Sequence, residues 1–220
     1  MTDSIPEISA ATIVLRGSFN PRIFQPEWFA KQQLLPQQEA DTSDIKIIIQ
    51  QISHFETERF VIQVTEDRFV AASKPNANPA PLRDLVRGTF FILEHTPVTM
   101  MGLNHQMHFK MDSEERWHQV GDKLAPKDGW RQILEGRPGM LSLTITTQKD
   151  NPKGSKVNVK VEPSVRIPLG VFFEVNEHYQ APETEELKAL MGVLEERWEE
   201  SQIYASRIAS HILAWARGSE

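Results

Sequence analysis

The chain has 220 residues, 40% of them hydrophobic and 25% charged, with 14 Pro, five Trp and no Cys. That mix excludes a disordered chain and a collagen-like repeat, and the missing thiol removes disulfides, thiolate nucleophiles, iron–sulfur clusters and cysteine-ligated zinc. Twenty-four Lys and Arg against 30 Asp and Glu leave a formal charge of −6, which repels a phosphate backbone.

Period-two alternation places a first strand at Ile13–Phe19. The stretch that follows, Gly17–Trp28, is dense in aromatics and carries Pro21 and Pro26. One reading is a crossover packed on the core, with Pro26 in the first turn of a helix through Leu35. The other is an exposed anchor in which Phe24 and Trp28 meet a protein partner beside Arg22. Ile45–Ile52 and Phe60–Val64, then Arg68–Ala72 beyond a Glu66-Asp67 turn, read as further strands. PNANPAP at residues 75–81 reads as a loop before a helix that carries Leu82, Leu85, Val86, Thr89, Phe90 and Leu93.

In Thr99–Met111, strand parity sets Met101, Leu103, His105, Met107, Phe109 and Met111 on one face. His105 among them reads as a core histidine with one hydrogen-bond partner. Asp112 can cap a short helix with Glu115 at its third position and Trp117, Val120 and Leu124 on one face. Trp130, Ile133 and Leu134 suggest further helical turns. Three alternating segments follow, at Leu141–Thr146, Val157–Glu162 and Val171–Asn176, the first two joined by a Lys149–Ser155 hairpin loop. Leu187, Leu190, Met191, Leu194, Trp198, Ile208, Ile212 and Trp215 recur at helical spacing over about eight turns. At about 45 Å, such a helix outruns a five- or six-residue strand, so Ile208, Ile212 and Trp215 are expected to overhang the sheet and meet a partner or a second copy.

This order of elements has a resemblance. A strand leads into GSFNPRIFQPEWF (Gly17–Phe29); a helix runs into MMGLNHQMHF (Met100–Phe109); three strands feed a long closing helix. The layout is similar to a sporadically distributed, uncharacterised bacterial protein family in which a helix runs into a "GLxxxN" strand and an amphipathic helix closes the chain. Gly102-Leu103-Asn104 departs from that family's spacing. The resemblance implies the fold and no activity.

Chemistry is sparsely signalled. No Gly-x-Ser-x-Gly elbow, dinucleotide-binding or Walker-type glycine loop, HExxH or HxH occurs in the chain. The one enzymatic constellation is His108, Glu174 and His178, which parity places on the polar face of the sheet with Asn104 and Asn176. If they gather there, two imidazoles and a carboxylate could hold a metal or act as a base. The alternative is that they are polar because that face is wet. Lys123–Arg166 holds nine basic and four acidic residues, a net +5, against a net −5 over Glu183–Glu200. A basic 149–160 hairpin is therefore a second, nucleic-acid alternative.

The expected fold is one α+β domain over residues 1–220, with a loose two-part layout at 1–111 and 112–220. An antiparallel, curved sheet carries helices on one face and the long amphipathic helix across it. The expected function is non-catalytic: a cytoplasmic bacterial binding or assembly protein, acting on a protein partner or on itself as a homodimer. No metal, cofactor, membrane or nucleic-acid partner is expected. The polar N-terminus has no basic region before an apolar run, and no segment approaches the ~20 apolar residues that span a bilayer.

Overall fold

The computed structural model describes residues 5–149, 155–181 and 186–218. Nine strands form one open antiparallel sheet: β1 (Ile8–Gly17), β2 (Asp44–Ile48), β3 (Ile52–Glu56), β4 (Phe60–Thr65), β5 (Arg68–Ser73), β6 (Val98–Lys110), β7 (Leu143–Gln148), β8 (Lys156–Pro163) and β9 (Gly170–Gln180). Their order across the sheet is β2-β3-β4-β5-β1-β6-β9-β8-β7. Five helices accompany them: α1 (Pro26–Lys31), α2 (Gln37–Asp41), α3 (Ala80–Ile92), α4 (Glu114–Leu124) and α5 (Glu186–Ala216).

The chain traverses this sheet twice by the same route. Each pass opens on a central strand, β1 or β6, then makes short helical turns and steps out to an edge. A meander returns inward to pair with the central strand, and a helix closes the pass: β2–β5 with α3 first, β7–β9 with α5 second. β1 and β6 lie side by side over nearly their whole length. At their crossing a Cβ on Gly17 would sit 2.0 Å from the Pro97 carbonyl oxygen, so only glycine lets the strands approach there. The seam between passes therefore falls between α3 and β6, ahead of the expected break at 111. Among the described residues the second pass also has one strand fewer, and no strand occupies the position outside β7 that corresponds to β2.

Parity decides what the sheet buries. Met101, Leu103, Met107, Phe109 and Met111 lie under the helices, as do Val171, Phe173, Val175 and Tyr179 of β9. α5 runs lengthwise along β6. Its Leu187–Trp198 half packs with Met101 and Leu103, and its Ala205–Ala216 half packs with Met107, Phe109 and Met111. A 31-residue helix spans about 46 Å and the 13-residue β6 about 44 Å, so the two are matched and nothing overhangs. That corrects the expected surplus. The buried stripe of the second half is Ser201, Ala205, Ala209, Leu213 and Ala216, whose mostly small side chains let helix and sheet approach closely. Ile208 and Ile212 flank the stripe, half-buried against the same core, and Trp215 lies at its edge with the Lys123 ammonium 5.1 Å from its ring.

Several boundaries move. Ile45–Ile52 is two strands, because a turn at 49–51 sends the chain back as β3. Ser113, not Asp112, caps α4, accepting from the Arg116 backbone N–H. Around Trp130 there is only a short 3-10 turn, with Trp130, Ile133 and Leu134 all exposed. The Lys149–Ser155 hairpin is closed by Lys149 N donating to the Ser155 carbonyl at 2.8 Å; its tip, 150–154, lies outside the described residues. Phe24 is 1% exposed, inside an aromatic cluster with Phe19, Trp28, Phe29, Phe69 and Phe90, so the exposed-anchor reading of Phe24 and Trp28 gives way to the core reading.

Candidate functional site

The polar face of the sheet does not assemble the constellation expected of it. On β6 and β9, His178 stands opposite Gly102, Glu174 opposite Gln106, and His108 opposite Phe172. Six residues of strand separate the two imidazoles, about 20 Å, so no single ion or substrate atom reaches both. His108 and Glu174 are occupied locally. His108 Nδ1 lies 2.8 Å from Ser164 Oγ, and its ring lies tilted against Phe172 with centroids 4.7 Å apart. Glu174 accepts from Gln106 Nε2 at 2.7 Å. Burial lowers the pKa of His108, helped by Arg166, and burial lowers that of His178, helped by Lys156. Among the described residues no three His, Asp or Glu side chains are placed to share a metal ion. His108, Glu174 and His178 are neighbours of the same surface, not members of one site.

That face carries a polar ladder instead. Asn104, Asn176, Asn158 and Thr146 stand directly opposite one another on β6, β9, β8 and β7. Asn104 donates to the Thr12 carbonyl, Asn176 to Asn104, Asn158 to Asn176, and the Thr146 hydroxyl to Asn158. The row ends at Thr146, on the sheet edge.

The helix-facing side holds a polar cluster the sequence reading passed over. His105 is the expected buried histidine: Nε2 lies 2.8 Å from Ser201 Oγ, and the ring packs 5.6 Å from Trp198. Burial lowers its pKa to about 4, Glu177 opposing only in part, so the imidazole is neutral at pH 7. Glu177 follows Phe173 and Val175 along β9 onto the core face and is 2% exposed. Its Oε2 accepts from Tyr179 Oη at 3.1 Å and pairs with Lys149, while Oε1 has no partner among the described residues. Burial works against the carboxylate, but Lys149, Ser201 and Tyr179 outweigh it and hold the pKa below its ordinary value. Burial and the Glu177 charge push the Tyr179 phenol upward. A cleft of about 320 Å³ opens over this cluster, lined also by Arg197, Tyr204 and Arg207. The signal was parity: a carboxylate in the apolar row Phe173, Val175, Tyr179 is costly unless paired.

Lys149 and Lys160 of the basic hairpin are engaged with Glu177 and Glu162, which leaves less free charge for a phosphate backbone than the residue count implied. A larger, mostly apolar groove of about 1180 Å³ runs along α3 and the start of α5, lined by Phe91, Met191, Glu94, His95 and the Arg87–Glu195 ion pair.

The two sheet edges differ. β2 carries Asp44 and Lys46, which pair with each other, and a bulge between Ile45 and Ile47. Charges and bulges are the usual means of blunting an edge. β7 has neither: Leu143–Gln148 holds no charge and no proline, and its ladder to β8 is regular. The apolar row beneath the helices runs out along it, from buried Val175 through half-buried Val159 to Ile145, which is 58% exposed. With Trp130, Ile133, Leu134 and Leu141, Ile145 makes five of the fifteen exposed large apolar side chains among the described residues fall within sixteen positions. No protein-family model matches the chain, and no curated protein matches it.

Proposed function

We propose that this is a non-catalytic binding and assembly protein of the bacterial cytoplasm, acting through protein contacts as a homodimer. The observation that carries the reading is β7: an edge strand with none of the features that keep edges apart, itself part of a chain segment rich in exposed apolar side chains. No helix among the described residues is long and apolar enough to cross a membrane. The dispersal of His108, Glu174 and His178 removes the constellation on which an enzymatic reading stood. Light scattering on the native protein tests the proposal. The expected mass is twice 25.2 kDa, returning to the single-chain value when Ile145→Lys places a charge on the edge. A single-chain mass at every concentration up to roughly 100 µM, far above the Kd of a specific interface, overturns it.

A second reading rests on Glu177. Glu177, held ionised by Lys149, lines a cleft with Arg197, Tyr204 and Arg207, and Arg207 has no carboxylate partner among the described residues. This suits a small molecule whose anionic group pairs with Arg207, a free amino acid being the simplest. The expected result is a rise in Tm with at least one of the common amino acids, lost in Arg207→Ala; no rise with any of them rules the reading out.

A further inference from the structure

We infer that β7 pairs antiparallel with β7 of a second copy, across a two-fold axis through Thr146, so that two nine-stranded sheets become one. This deepens the homodimer reading and rests on it.

The backbone sets the register. In an antiparallel ladder, residues alternate between pairs that exchange both hydrogen bonds and pairs that exchange none. Lys149 and Ser155 are a bonded pair, because Lys149 N donates to the Ser155 carbonyl. Counting back along β7, Thr147, Ile145 and Leu143 bond to β8, while Gln148, Thr146 and Thr144 turn their N–H and C=O groups to the bare edge. An isologous pair must match these outward residues with one another. An axis at Thr146 sets Thr146 opposite its own copy and Thr144 opposite Gln148, so all three residues are satisfied. Moving the axis to Ile145 leaves Gln148 facing Ser142, outside the strand. The Thr146 register therefore satisfies the most backbone.

Side chains agree on both faces. On the helix side Ile145 stands opposite Thr147 and extends the row of Val175 and Val159. On the open side the ladder from Asn104 to Thr146 meets its own copy hydroxyl to hydroxyl. No charge lies anywhere in Leu141–Gln148, so no like charges face each other. The internal repeat points to the same occupant. The first pass covers β3 with β2, and among the described residues no strand lies on the matching flank of β7; the second copy's β7 takes that place.

The chain has no cysteine, so one introduced thiol reports the register. Residues opposed in a bonded pair have Cα atoms about 5.5 Å apart, within disulfide range. Under mild oxidation Thr146→Cys is expected to form a covalent dimer nearly completely. Thr144→Cys and a control at exposed Ile203→Cys are expected to stay below about a tenth of that. Thr144→Cys with Gln148→Cys in one chain restores the cross-link. A two-chain mass by light scattering without cross-linking at Thr146 overturns strand pairing while leaving self-association standing; a one-chain mass overturns both. A cross-link at Ile145→Cys in place of Thr146→Cys overturns the register.

Discussion

Replacing Trp198 with alanine is expected to lower the unfolding free energy by about 3–5 kcal/mol, measured by urea denaturation at fixed protein concentration and followed by circular dichroism. Trp198 is fully buried and is the largest such side chain. It stands where the two halves of the core meet, beside His105 at the midpoint of β6 and one turn before Ser201. Truncation empties the space between helix and sheet at the position from which neither half can collapse independently. Trp198→Phe separates packing from polarity. The indole N–H has no partner among the described residues, so phenylalanine removes an unsatisfied donor while keeping most of the volume. Its cost is expected to stay below about 1.5 kcal/mol. An alanine variant losing less than about 1 kcal/mol contradicts the packing of α5 along β6.

Stability is expected to fall by up to about 3 kcal/mol between pH 6.5 and pH 4, most of it from one residue. His105 has its pKa lowered by burial to about 4, against 6.5 for an ordinary histidine. The unfolded chain therefore binds the proton first, and folding loses free energy as pH drops through that window at about 1.36 kcal/mol per unit of difference. Burial lowers His108 and His178 as well, adding in the same direction. Glu177 acts lower down. Its pKa is depressed, so the stability it contributes is present above the ordinary carboxylate range and is lost as pH falls through its own value. Urea midpoints at half-unit steps, for the native chain and for His105→Gln, check the assignment. The variant is expected to keep less than half of the slope between pH 6.5 and 5; an unchanged slope contradicts the buried neutral imidazole.

The face each β6 and β9 side chain takes was legible from parity alone, since alternation is fixed by the backbone. His105 fell where counting put it, and so did Phe173 and Val175. Position along the strands was not legible. His108 and His178 were correctly assigned to one face, yet register sets them at opposite ends of it, and register depends on turns and pairings beyond local pattern. The length of β6 was legible, since parity already ran over Thr99–Met111, but the helix was set against a strand of ordinary five- or six-residue length and so looked too long. Ala205 and Ala209 went unnoticed because a periodicity built on large side chains ignores small ones, although close packing favours them. Strand order, and with it the exposure of β7, is a property of topology that no single segment encodes.

Amide hydrogen exchange on the native chain tests the assembly account most directly. Ile48 on β2 turns its N–H to a free edge, since Ile49 N bonds to the Ile52 carbonyl and alternation turns Ile48 outward. The account predicts that Thr144, Thr146 and Gln148 exchange at least about a hundredfold more slowly than Ile48, and that Ile145→Lys abolishes the difference. Exchange of those three amides as fast as Ile48, whatever the protein concentration, would contradict it.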